Sequence, residues 1–228
     1  GWKGKPNDIS RISALLNALR DLSTENPGLH FRVALRSDVY FLVRTSDEST
    51  DKIEGSVVWQ SWTNHHILAL LVKRIETYFG RKVNEQALIS MKPSVLAQYL
   101  NPVMDPRFTG SGKWQNAPMY RILMSLIRKR PRDLVKLCSL AAANAHMKGQ
   151  RKIGTPHFQA IFEEYSQGRL QDTVNEYKTE LPQIEALLMG MKPAKKERLA
   201  SLSYVYPTDL LVMKIKSIME RTRFAYAD

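Results

Sequence analysis

Apolar residues recur at Ile9, Ile12, Leu15, Leu16, Leu19 and Leu22, spacings that predict a helix from about Asp8 to Leu22 with one buried face. Asn26, Pro27 and Gly28 interrupt the pattern, and beyond them the period drops to two. Phe31, Val33 and Leu35 alternate with Arg32 and Ala34, as in a short strand. The apolar pattern continues through Val39, Tyr40, Leu42 and Val43, then yields to a polar, loop-like stretch from Thr45 to Asp51. Val57, Val58 and Trp59 predict a second short strand. Helical spacing returns from about Thr63 to Phe79, with Ile67, Leu70, Leu71, Arg74, Ile75 and Tyr78 on or beside one stripe and Gly80 as the stop.

After Gly80 no strand pattern follows. Helices are predicted over Glu85–Met91, Ser94–Leu100, Ala117–Arg128, Pro131–Met147 and Pro156 to about Tyr177. An irregular connection holding Pro102, Pro106, Gly110 and Gly112 spans Asn101–Gln115, and Lys148–Gln150 is a turn. The change of composition at Lys192–Lys196 marks a hinge, after which Pro207 and Thr208 open one more helix bearing Leu210, Leu211, Met213, Lys214, Ile218 and Met219. The predicted organisation is therefore a mixed segment at 1–80, a helical one at 81–191 and a basic helical segment at 192–228.

Charge sharpens the picture. Lys and Arg number 34 against 22 acidic residues, a formal net charge of +12, which draws phosphates, nucleic acid or acidic proteins but serves a solvated surface equally well. The single cysteine, Cys138, excludes an internal disulfide framework and reads as a core residue on a helical face. With no signal peptide and no long apolar run, the expected location is the cytoplasm, away from membranes. His65 and His66 are adjacent and so diverge on a helix, and no HExxH or paired-Cys motif occurs, which argues against a metal site.

Two constellations can carry chemistry. Ligands of open α/β sheets bind beyond the carboxyl ends of strands, which singles out Arg36, Ser37 and Asp38 after the strand ending at Leu35. Arg36 there can meet a terminal phosphate, with Asp38 beside it. The simpler arrangement, Asp38 capping a helix with Arg36 paired to it, is favoured by residue chemistry alone. The second constellation is the basic knot Arg128, Lys129, Arg130, Pro131 and Arg132, where one helix ends and the next begins. Cations at a helix start oppose its dipole, so they call for an anionic neighbour. That neighbour is a bound phosphate or an acid such as Glu163 or Glu164, and a solvated basic face is the equal alternative.

Several strings resemble bacterial P-loop ATPases of the STAND and KAP type, relatives of the AAA+ machines, several of which act in anti-phage defence. They are VALRSDVY (33–40), VVWQSWTNHHILALLVKRI (57–75), RPRDLVKLCSLAAANA (130–145) and YSQGRLQDTVNEY (165–177), together with Asp51–Ile53, Trp2 and the helix from Asp8. The resemblance implies a mainly α fold in which a small α/β remnant of the nucleotidase core precedes a helical lid bundle. It also implies a sensor strand ending at Arg36 and Asp38, and a lid helix from Pro131 whose Arg130 and Arg132 face nucleotide. ATP and Mg²⁺ would then be cofactors of the intact protein and not of this chain alone, because no GxxxxGK[ST] string occurs and the Walker B acids are missing. The chain reads as a fragment, or as one whose remaining half comes from another chain or a self-oligomer, coupling nucleotide state to a protein effector. The alternative is a basic helical module that binds nucleic acid, or docks a partner, through Lys195, Lys196, Arg198, Lys214 and Lys216.

Overall fold

The computed structural model describes residues 6–46, 48–178, 181–193 and 206–222. The fold is mainly helical. Helix α1 spans Pro6–Glu25, α2 Ser37–Ser46, α3 Asn64–Tyr78, α4 Glu85–Ser90 and α5 Pro93–Leu96, the last continuing as a 3₁₀ turn over Ala97–Leu100. Then come α6 (Met119–Leu126), α7 (Pro131–Met147), α8 (Thr155–Tyr177), α9 (Ile184–Gly190) and α10 (Thr208–Thr222). Among the described residues the only β-pairing is two isolated bridges, Met104 with Ile153 and Arg107 with Pro118.

The chain divides into two compact units, one of residues 1–59 with 174–228 and one of residues 60–173. The sequence pattern instead sets its boundaries at 80 and 191.

The second unit owes its order to a continuous apolar core. Ile67, Leu68 and Val72 of α3 pack with Leu88, Leu96 and Leu100, with Met119, Ile122 and Leu123 of α6, with Leu134, Leu137 and Ala141 of α7, and with Phe158 and Ile161 of α8. Each helix supplies residues three or four apart, so one stripe per helix enters the core. Ends are specified locally. Thr63 caps α3 by accepting from the His66 amide, and Asn84 caps α4 by accepting from Gln86 and Ala87. Gly80 stops α3 at φ +70°, where Gly80 and Arg81 donate back to Thr77 and Glu76. The irregular connection before α6 is fastened at Asp105 and Ile153, whose amides donate to the carbonyls of Ile153 and Val103, both at 2.9 Å. Trp114 anchors it further, edge-on to Phe108 at 5.9 Å and to Phe162 at 5.7 Å. Cys138 packs against this core, and burial pushes its thiol up to about 12, so it stays protonated.

The first unit departs from expectation. Residues 29–36 and 57–63 carry no secondary structure, so the two predicted strands, Phe31–Leu35 and Val57–Trp59, do not form and no α/β sheet is present among the described residues. The physical reason is pairing. Among those residues the backbone of residues 30–35 makes no hydrogen bond, and a strand exists only through its ladder. The apolar pattern at Val39–Val43 is helix α2, burying Val39, Tyr40 and Val43, and the stretch expected as loop from Thr45 is partly helical, its start closing α2 and its end entering a 3₁₀ helix over Glu48–Ser56. Helix α1 forms where its spacing places it, yet its stripe is only partly covered, with Leu15 and Leu22 exposed. At the other end of this unit Ile218 of α10 is fully buried and packs on Gly190 of α9.

Candidate functional site around Asp133

Pro131 opens α7 with its φ already suited to a first turn, and the Asp133 amide donates to the Arg130 carbonyl at 3.0 Å. This places Asp133 in the first helical turn, where a carboxylate complements the dipole. Its side chain is 0% exposed. A buried carboxylate requires compensation, and three guanidiniums supply it. Arg169 of α8, only 15% exposed, makes a charge-assisted hydrogen bond to Asp133 Oδ1 and a second bond at 2.7 Å to Asp172. Arg128 Nε lies 3.6 Å from Asp133 Oδ2 while its Nη1 donates to Thr173 at 2.6 Å. Arg132 Nε is 3.9 Å from Oδ1, and its side chain is 71% exposed.

Tyr165 completes the arrangement. Its ring lies beneath Arg169, 5.5 Å from the guanidinium carbon, and its hydroxyl donates to the Leu126 carbonyl at 3.0 Å, satisfying the end of α6. Burial, then the Asp133 charge, pushes the Tyr165 phenol up to about 12, so it remains a donor at every physiological pH. Between α6 and α7 the chain turns through Lys129 at φ +52°, a left-handed conformation that costs a side-chain-bearing residue of order 1 kcal/mol.

The basic knot thus finds its anion, but not where the sequence pointed. Glu163 and Glu164 stand exposed, and the acid is Asp133, inside the knot itself. Arg132 sits at the rim of this cluster. Arg130, also expected there, gives α7 its N-cap without a side-chain cap hydrogen bond. Asp133, Arg169 and Tyr165 were not singled out from sequence. The available signal was an acid in the first turn of a helix that opens with four basic residues in five.

The first unit holds the other expected pair. Arg36 and Asp38 join in a two-pronged ion pair, Nε to Oδ1 at 3.0 Å and Nη2 to Oδ2 at 2.5 Å, at the start of α2. Glu176 at the end of α8 lies 3.6 Å from the same guanidinium. The hydrogen bond to Arg36 holds the Asp38 carboxyl below the usual carboxylate range and raises the Arg36 pKa in return. The simpler of the two arrangements read from the sequence is therefore present. Lys214 is half-buried and Lys216 exposed on α10, while Lys195, Lys196 and Arg198 lie outside the described residues, as do Trp2 and Arg223.

In the described residues no helix is long and apolar enough to cross a membrane. The second unit is a self-contained helical bundle with a charged knot at the head of one long helix. Residues 65–174 match the family model of the FunZ-associated C-terminal helical domain, a span nearly coextensive with that unit and containing the whole Asp133 cluster. No curated protein and no solved structure matches the chain.

Proposed function

We propose that the chain is the sensor and lid part of a P-loop ATPase, in which the helical unit of residues 60–173 closes over nucleotide held by a core that other polypeptide supplies. The reading rests first on residues 29–36. Leu29, Phe31, Val33 and Leu35 alternate with His30, Arg32 and Ala34, all are exposed, and among the described residues the backbone of residues 30–35 makes no hydrogen bond. Soluble proteins rarely leave such a row of apolar side chains and open amides to water, and a strand that finds its ladder in a neighbouring sheet accounts for both features. Arg36 follows that row directly, the position at which a sheet of this class meets phosphate.

The description of the matching family as a C-terminal helical domain associated with FunZ agrees with a helical module that follows another functional part. Within the lid, Arg132 is the residue assigned to nucleotide. Its guanidinium is exposed and donates no hydrogen bond among the described residues, so its donors are available to a terminal phosphate. In the resting arrangement Arg36 is neutralised by Asp38, and binding of a polyphosphate would draw it away. Changing Arg36 or Arg132 to Ala in the protein that carries the P-loop core should lower ATP turnover by about a hundredfold, the scale of one lost transition-state donor, with the helical content retained. Full turnover in both variants defeats the assignment.

A further inference from the structure

Asp133 has two oxygens and three guanidiniums around it, and it treats them unequally. Its one short hydrogen bond goes to Arg169, whereas Arg128 and Arg132 stand at 3.6 Å and 3.9 Å, inside ion-pair range but beyond hydrogen-bond range. Among the described residues Oδ2 accepts no hydrogen bond, although it is buried. A cluster serving stability alone would satisfy that oxygen, because a buried carboxylate gains most from direct donors. Here the carboxylate is anchored by the most buried arginine and tethers the two more exposed ones electrostatically, leaving most of their donors unspent.

We propose that Asp133 and Arg169 are positioning residues, which fix the head of α7 so that Arg132 and Arg128 present a two-pronged guanidinium clamp to the terminal phosphates of a nucleoside triphosphate. Two supports lie in the geometry. Arg169 is itself fixed on both sides, by Asp172 at 2.7 Å and by the face of Tyr165, so it is a rigid post and not a ligand in waiting. Arg128 and Arg132 flank Pro131, whose locked φ removes one degree of freedom from the turn that carries both. The inference rests on the lid reading, since it assigns the clamp to the nucleotide which that reading supplies.

A mutant cycle on ATP hydrolysis, in the protein that carries the P-loop core, separates the two. The variants are Arg132→Ala, the double change Asp133→Asn with Arg169→Met, and all three together, each with kcat/KM for ATP and a thermal melt. The double change removes both buried charges at once, so neither is left uncompensated. It should lower kcat/KM about tenfold, and the triple variant should be no worse than Arg132→Ala alone, because a positioning pair has no effect once the residue it positions is gone. Losses that multiply would show that the pair acts only through the stability of the helices, and would overturn the inference while leaving the lid reading standing. Arg132→Ala with wild-type kinetics would overturn both. Should the double variant not fold, Arg169→Lys takes its place under the same criterion, since it keeps the charge but loses the fixed fork.

Discussion

The two units of this chain are built from similar helices and differ in what closes them. In residues 60–173 each helix finds a partner for its apolar stripe, and Ile67, Leu96, Leu123, Leu134, Leu137 and Phe158 lie fully buried. In residues 1–59 Val39, Tyr40 and Val43 are buried, but many side chains of the same kind stay in water: Phe31, Val33, Phe41 and Trp59 are exposed, and Val58 is 82% exposed. Phe41 and Trp59 stack on one another with ring centres 5.4 Å apart and Tyr40 stands edge-on to Trp59 at 5.4 Å, yet Phe41 and Trp59 remain about half exposed. The difference teaches that amphipathic patterning declares an intention to be buried and not the identity of what does the burying. The helical unit covers its stripes with its own residues, whereas among the described residues of the first unit the covering is incomplete.

Substitutions sharpen that contrast. The largest effect is expected in the closed unit, where Phe158→Ala should cost about 3–5 kcal/mol, the usual range for emptying a fully buried aromatic site. Denaturant unfolding followed by circular dichroism measures it. Arg169→Ala should approach the same size, about 3 kcal/mol or more, because it removes the hydrogen-bond donor of a carboxylate that is 0% exposed. A loss below 1 kcal/mol would mean that Arg128 alone suffices for that carboxylate.

A smaller effect is expected at Gly190. A Cβ there would stand 2.9 Å from two carbons of Ile218, so Gly190→Ala must push α9 and α10 apart, at about 1–3 kcal/mol. The smallest belongs to the open surface: Val58→Ser should shift stability by no more than about 0.5 kcal/mol, since the side chain already faces water. A loss of several kcal/mol at Val58 would break the contrast, for it would mean that the first unit closes on itself in solution.

Acid should act on the closed unit through Glu76. Its buried carboxylate is held by Arg81 in a two-pronged pair at 2.7 Å and 2.6 Å, which keeps it below the ordinary carboxylate range. A depressed folded value contributes stability that is present above the unfolded value, about 4.3, and lost as pH falls through the folded one. Melting temperature should therefore decline below about pH 4.3, and Glu76→Gln should flatten that part of the curve. An unchanged slope in Glu76→Gln would remove the pair from the account.

Much of the helical unit was legible in the sequence, because its signals are local. The 3.6-residue period located α3, α7 and α8, Thr63 and Gly80 marked the two ends of α3, and Pro131 marked the start of α7. Strands 31–35 and 57–59, expected from the pattern, do not form among the described residues, for the opposite reason. A period of two is equally local, but a strand is a relation to another strand, and the partner is not among the described residues. The site was half legible. Arg132 stood out as part of a basic run, whereas Asp133 is one acid among many until α8 brings Arg169 to it from 36 residues away. The bond that joins them is tertiary, and no spacing rule encodes it.

In the proposed lid role, Arg132 at the head of α7 meets the phosphates of a nucleotide. The most direct measurement is steady-state ATP hydrolysis by the protein that carries the P-loop core, wild type against Arg132→Ala, with circular dichroism confirming equal helix content. A fall in turnover of about a hundredfold with an unchanged spectrum is the expected result. Turnover equal to wild type, with the same spectrum, would contradict the claim and return the Asp133 cluster to a purely structural role.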